Sequence, residues 1–180
     1  YMAAVVGTGG EVTLKGVNYK ELYSVIMCLT EMGAQIYCGN DFITIRGTGK
    51  PKPIDVIRTS PYPGFPTDMQ TQIMTILTIA YGTSIIIENI FEARYKNVGE
   101  LVKMGADIIV EGKMAVIKGV NSLHGTEVYA SDLRGGAALV LAGLISDGRT
   151  IVNNIFYITR GYEDIVRDFK TLGGLINYID

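Results

Sequence analysis

The sequence predicts an α/β domain with pseudo-threefold symmetry, each unit ordered helix, strand, helix, strand, strand. Two observations carry this reading. Apolar residues alternate along the chain between a helical and a strand period. The octapeptide Leu29-Thr-Glu-Met-Gly-Ala-Gln-Ile36 also returns as Leu101-Val-Lys-Met-Gly-Ala-Asp-Ile108, at a constant offset of 72 residues. That offset carries Gly10 onto Gly82, Phe42 onto Met114 and Gly47 onto Gly119, and Phe169-Lys-Thr-Leu-Gly-Gly-Leu-Ile176 is a third copy. Composition agrees: 48% apolar and 19% charged residues with 22 glycines describe a packed globular chain rich in tight turns. A length of 180 residues suffices for one domain with its own core.

Taken in order, residues 11–16 read as a strand and 19–32 as a helix presenting Leu22, Val25, Ile26 and Leu29 on one face, ended by Gly33. Strands are predicted over 34–38 and 42–46, joined through Gly39, Asn40 and Asp41 as a hairpin. Residues 47–53 form a loop and 54–58 a strand. Pro61, Pro63 and Pro66 then hold an extended approach to a helix that starts at Thr67. Thr67 and Gln70 have capping-box spacing, and Met69, Ile73, Ile76, Leu77 and Ala80 form an apolar stripe at helical period. The second unit continues with a strand at 83–89, a helix near 98–104, and strands at 107–111 and 114–118. In the third unit Ser131-Asp132 stands to its helix as Thr67-Asp68 stands to the previous one, and 175–180 matches the strand at 107–111.

Asp68 thus falls in the first turn of a helix, delivered there by a proline-braced loop. A carboxylate so placed complements the helix dipole by about 0.3–1 kcal/mol even without a function. Arg94 follows the strand end Asn89-Ile90-Phe91, and Arg160 follows the equivalent Asn154-Ile155-Phe156 one residue further on. Arg134 lies in a first helical turn, where a cation opposes the dipole and asks for a compensating partner. Guanidinium forks at such junctions suit a small dianion, but on spacing alone the plainer reading comes first: each arginine pairs with a local acid such as Asp132 or Glu92, or is solvated.

Other chemistries find little support. A net charge of -2 gives no general case for nucleic acid or anionic membrane as partner. The longest apolar runs, such as 137–145, fall short of the roughly 20 residues that span a bilayer. Gly135-Gly136-Ala-Ala and Gly143 match neither phosphate-loop pattern and read as tight helix packing. His124, the single histidine, sits in a polar turn with no second ligand beside it, so neither a metal site nor a triad is expected. Cys28 and Cys38 read as buried reduced thiols rather than nucleophiles or a bridge, which points to a cytoplasmic setting.

Four segments carry a resemblance: Pro63-Gly-Phe-Pro-Thr-Asp-Met-Gln70, Phe91-Glu-Ala-Arg94, Ser131-Asp-Leu-Arg134 before its Ala/Gly-rich helix, and Arg160-Gly-Tyr-Glu163. Together they resemble the C-terminal part of the bacterial UDP-N-acetylglucosamine enolpyruvyl transferases, over essentially the whole chain. The resemblance implies an inside-out α/β barrel, with small mixed sheets around internal helices, and transfer of the enolpyruvyl group from phosphoenolpyruvate to the 3-hydroxyl of UDP-N-acetylglucosamine, with no cofactor. It implies that Asp68 binds that hydroxyl and takes its proton, that Ile90 contacts the sugar nucleotide through its backbone, that Arg94, Arg134 and Arg160 surround phosphoenolpyruvate, and that Asp132 lies against the reacting carbon. The family's proton-donating cysteine and phosphate-binding lysine belong to its other domain, and neither Cys28 nor Cys38 matches that cysteine.

Residues 1–180 are therefore expected to form a single domain, the C-terminal piece of a two-domain enzyme, partnered by an N-terminal domain of the same polypeptide and inactive alone. The offset places Tyr1 opposite Ile73, inside a helix, and leaves the strand at 175–180 without its returning partner. A shikimate-type enolpyruvyl transferase and a noncatalytic anion-binding scaffold are the alternatives.

Overall fold

Three copies of one local device punctuate the chain, and they explain the repeated octapeptide. In the computed structural model, which describes residues 1–179, helix α2 (Tyr23–Glu31) ends where Gly33 takes a positive φ of 99°. The Gly33 and Ala34 N–H groups turn back onto the carbonyls of Thr30 and Leu29, at 2.9 and 3.0 Å. Helix α4 (Val98–Lys103) ends in the same way, with Gly105 at φ 93° and Ala106 bonded to Leu101 at 3.1 Å. In α7 (Ile165–Thr171), Gly173 at φ 90° and the bond from Gly174 to Phe169 at 2.8 Å repeat it once more. This is the Schellman arrangement. Glycine is needed because a Cβ disfavours that φ, and the leucine or phenylalanine three positions before the cap packs into the core.

The sheets carry the repeat further. Strands β1 (Gly10–Lys15), β2 (Gln35–Cys38) and β3 (Phe42–Gly47) form an antiparallel sheet in the order β1-β3-β2. The strands β5 (Thr83–Ile87), β6 (Asp107–Glu111) and β7 (Met114–Lys118) form its counterpart, and the parallel strand β4 (Val56–Arg58) extends the edge beside β5. The register is conserved to the residue under the offset of 72: Arg46 faces both Glu11 and Gln35, as Lys118 faces both Thr83 and Asp107. The third unit is slighter. Its strands β10 (Ser146–Asp147) and β11 (Ile151–Asn153) pair in parallel with β8 (Leu123–His124) and β9 (Glu127–Tyr129). The short helix α6 (Phe156–Thr159) follows β11.

The first helices of the three units, α1 (Met2–Thr8), α3 (Gln70–Leu77) and α5 (Leu133–Ile145), pack on one another at the centre. Small residues allow the close approach of these helices and that of α5 to α6. A methyl group at Gly7 would meet Ile145 and Ile76 at 2.9 and 3.0 Å, and one at Gly136 would press on Ile158 at 2.6 Å. Tight packing is thus what the Gly135-Gly136-Ala-Ala run serves.

Several expectations need correction. Helix α3 is not amphipathic: Gln70, Thr71 and Ile73–Leu77 are all buried, so the expected stripe is only part of an apolar surface that faces neighbours all round. Its threonines satisfy themselves locally, Thr75 bonding to the Thr71 carbonyl at 2.9 Å and Thr78 to that of Thr75 at 2.6 Å. The helix expected over 19–32 opens as a 3-10 turn, Tyr19–Leu22, capped by Asn18, because that side chain accepts from the Lys20 N–H. His124 lies in β8 rather than a turn, though exposed as expected. Residues 175–179 are not a strand, since no ladder partner lies beside them among the described residues; the last residue of the expected strand, 180, lies outside those described.

Candidate active site

The approach to Asp68 is folded rather than extended. The Gly64 N–H turns back to the Pro61 carbonyl at 2.8 Å, and Phe65 pairs beside Thr59, so the chain makes a tight loop off the end of β4 before Pro66. Pro66 then starts a 3-10 turn over Thr67–Met69, and α3 begins at Gln70. The capping box does not form. Thr67 points its hydroxyl away from the helix, and the buried Gln70 amide has no protein partner among the described residues.

What Thr67 faces is Glu88, at the end of β5, a carboxylate only 3% exposed. Thr67 donates to its Oε2 at 3.0 Å, while its Oε1 accepts from the Thr59 hydroxyl at 2.8 Å and from the N–H groups of Ile90 and Phe91 at 2.8 and 2.9 Å. Thr67 in turn accepts from Arg94 Nε at 3.1 Å. Arg94 is 8% exposed, its guanidinium lying 4.5 Å over the Phe91 ring and donating from Nη2 to Asp68 Oδ1 at 3.1 Å.

Arg134 reaches the same carboxylate from α5. Its Nε donates to Asp68 Oδ1 at 3.0 Å and its Nη2 to Oδ2 at 2.7 Å, a two-pronged pairing across 66 residues of sequence. The Arg134 fork, and behind it the charge of Arg94, holds Asp68 below the ordinary carboxylate value, and the same pairing raises Arg134. Here is the compensation for a cation at a helix start: neither Asp132 nor Glu92 is its side-chain partner. Asp132 instead caps α5, its Oδ1 accepting from the N–H groups of Arg134 and Gly135, both at 2.9 Å. Its Oδ2 has the Ser131 hydroxyl at 3.5 Å and remains open to a further donor.

Of the expected site residues, Asp68, Arg94 and Arg134 are thus in direct contact, and Asp132 adjoins them through the Arg134 backbone. Ile90 is exposed beside them, with its N–H committed to Glu88. Arg160, at the end of α6, is exposed and stands outside the cluster's hydrogen bonds among the described residues. Cys28 is buried, and burial pushes its thiol up to about 12, which removes it as a nucleophile near neutral pH. Glu88 and Thr59 were not singled out from the sequence, and Thr67 only as a helix start. A charged residue closing the apolar run Ile85-Ile86-Ile87 was the available signal.

Comparisons with known proteins show the family of the chain. A family profile for EPSP synthase (3-phosphoshikimate 1-carboxyvinyltransferase) matches residues 1–169. The UDP-N-acetylglucosamine 1-carboxyvinyltransferase of Desulfofundulus thermocisternus is 47% identical over 176 residues, covering 98% of this chain and 72% of that protein. The chain belongs to this family of 1-carboxyvinyltransferases. Among the same carboxyvinyltransferases, UDP-N-acetylglucosamine 1-carboxyvinyltransferase 2 of Caldanaerobacter subterraneus subsp. tengcongensis is 49% identical over 173 residues, 96% of this chain. The chain spans 42% of that relative's length. The crystal structure of the enolpyruvyl transferase NikO from Streptomyces tendae superposes with a TM-score of 0.85 at 28% identity, covering 96% of this chain and 41% of that one. The carboxyvinyltransferase fold therefore extends over nearly all of the chain.

Proposed function

We propose that the chain supplies one face of the active site of an enzyme that transfers the enolpyruvyl group of phosphoenolpyruvate to the 3-hydroxyl of UDP-N-acetylglucosamine, releasing phosphate. The observation that carries this reading is the carboxylate of Asp68 held between two guanidiniums, in a chain 47% identical to a UDP-N-acetylglucosamine 1-carboxyvinyltransferase. A carboxylate within reach of a hydroxyl can take its proton, and arginine forks suit a substrate that bears both a carboxylate and a phosphate.

The chemistry sets an order on these groups. Paired with Arg134, Asp68 is an anion of weakened proton affinity and a poor base. Phosphoenolpyruvate competes for that guanidinium, and its arrival returns Asp68 toward ordinary basicity. Asp68 then takes the proton of the sugar hydroxyl as its oxygen adds to C2 of phosphoenolpyruvate, while a proton is delivered to C3. Loss of phosphate together with a C3 proton restores the double bond in the product. Arg134 and Arg94 hold the anion, Arg160 closes on it from the loop after α6, the Ile90 carbonyl meets the sugar nucleotide, and the open Oδ2 of Asp132 faces the reacting carbon. The resemblance to the family implies that the proton donor to C3 comes from an N-terminal domain of the same polypeptide. The product would enter peptidoglycan synthesis in the cytoplasm, and with it cell-wall growth, shape and division.

The test is phosphate release by the full-length protein supplied with phosphoenolpyruvate and either UDP-N-acetylglucosamine or 3-phosphoshikimate. Turnover with the sugar nucleotide alone is expected. Turnover with 3-phosphoshikimate instead would support the shikimate-type reading, and none with either a binding scaffold.

A further inference from the structure

We propose that Glu88 is a positioning residue of this site, acting through the Thr67 hydroxyl and the 90–91 backbone; the inference rests on the function proposed above. The repeat shows that no scaffold need puts a buried carboxylate there. The matching position in the first unit is Gly16, at φ 70°, and in the third it is Asn153, whose amide donates to the exposed Glu127 at 2.9 Å. The adjoining asparagine does the repeated structural work. Asn89 donates to the Thr59 carbonyl just past β4, and Asn154 to the Ala130 carbonyl just past β9, each at 3.3 Å. The carboxylate occurs only in the unit that carries Asp68 and Arg94.

Its geometry directs protons. With three donors converging on Oε1 and one on Oε2, Glu88 functions purely as an acceptor. The Thr67 proton must therefore point to Glu88, so that the Thr67 oxygen can present a lone pair to Arg94 Nε. Arg94, so oriented and laid on Phe91, aims Nη2 at Asp68. The same carboxylate draws in the N–H groups of Ile90 and Phe91 and so, through the trans peptide that joins them, turns the Ile90 carbonyl away from Glu88. A single buried group thereby sets both the arginine beside the base and the backbone offered to the sugar nucleotide.

Glu88→Gln tests this with little change of shape. The three donors at Oε1 demand the amide oxygen there, which places the NH2 against Thr67, reverses that hydrogen bond and sets the threonine proton free to compete with Arg94. Two readouts are made on the full-length protein. The first needs no catalysis: the Arg94 side-chain Nε–H resonance, assigned by its loss in Arg94→Lys, and the titration midpoint of the Asp68 carboxyl by 13C NMR. In E88Q and in Thr67→Val the Arg94 signal is expected to shift and exchange faster, and the Asp68 midpoint to rise; Thr67→Ser should return both toward the parent. The second is kinetic: kcat falls by roughly 10- to 100-fold in E88Q and T67V, as for a reacting group displaced by a fraction of an ångström to about 1 Å, with part of the loss restored in T67S. An Arg94 signal and an Asp68 midpoint unaltered in E88Q would overturn the proposal. If E88Q does not fold, the contrast between T67V and T67S decides it. If the parent shows no turnover, the proposed function fails while the NMR comparison still decides whether Glu88 positions Arg94.

Discussion

Under the proposed function, Asp68 is an ion-pair partner first and a base afterwards. More than half exposed at 54%, it is nonetheless gripped by two guanidiniums, so its tie to Arg134 tunes proton affinity more than stability. Asp68→Asn in the full-length protein is expected to depress kcat by roughly 10²- to 10⁴-fold, the usual range for a general base, while the KM for UDP-N-acetylglucosamine moves far less, because the amide still bonds the hydroxyl but cannot accept its proton. Arg160→Ala should instead raise the KM for phosphoenolpyruvate, since it removes charge from the anion's surroundings and leaves the sugar's contacts alone. Steady-state kinetics on the two variants separates the roles. The pH dependence follows from the direction of the Asp68 shift. A depressed carboxylate contributes its stability in full above the ordinary value of 3.8 and loses it as pH falls through the lower folded value. A carboxyl titration should place the midpoint below 3.8 and show it rising in Arg134→Ala.

At the scale of elements, the Schellman ends are where the local code can be tested. Gly105 combines a φ of 93° with a Cβ site 3.0 Å from the His124 ring. Gly105→Ala should therefore cost about 1–2 kcal/mol, the penalty for a side chain in the left-handed region, with any clash added. Gly99→Ala, inside α4 with open space where its methyl would go, should instead gain about 0.5–1 kcal/mol from helix propensity. Urea unfolding of the two variants reads opposite signs from the same substitution. These ends were legible in the sequence because each requirement is met within six residues. The capping box over Thr67 and Gln70 was misread because its spacing fits equally a threonine turned toward another strand.

For the whole molecule, the three central helices make the site a product of packing. Asp68 lies just before α3 and Arg134 in the first turn of α5, and these two helices are packed partners at the centre. Leu101, fully buried beneath the second sheet, should cost about 2–5 kcal/mol when cut to alanine, and its equivalent Leu29 a comparable amount, if the units are as alike energetically as they are in register. The 180-residue chain purified alone is expected to release no phosphate from phosphoenolpyruvate and UDP-N-acetylglucosamine, because neither Cys28 nor Cys38 matches the cysteine that the family uses as donor to C3. A coupled phosphate assay checks this, and turnover above background would count against that division of labour.

By itself the sequence determined the order of the elements in the two units that share the offset of 72, the threefold repeat, the glycine-ended helices and the four segments that resemble the carboxyvinyltransferases. All of these rest on φ preferences, side-chain period or hydrogen bonds between near neighbours. Only the tertiary structure decided that Arg134 pairs with Asp68 rather than with Asp132, that α3 is buried on every side, that residues 175–179 form no strand, and that Glu88 is a sealed acceptor behind the site. Each of these depends on which distant segment arrives alongside. A charge pairs with whatever opposite charge the packing of other helices brings within about 3 Å, and no spacing within one segment encodes that.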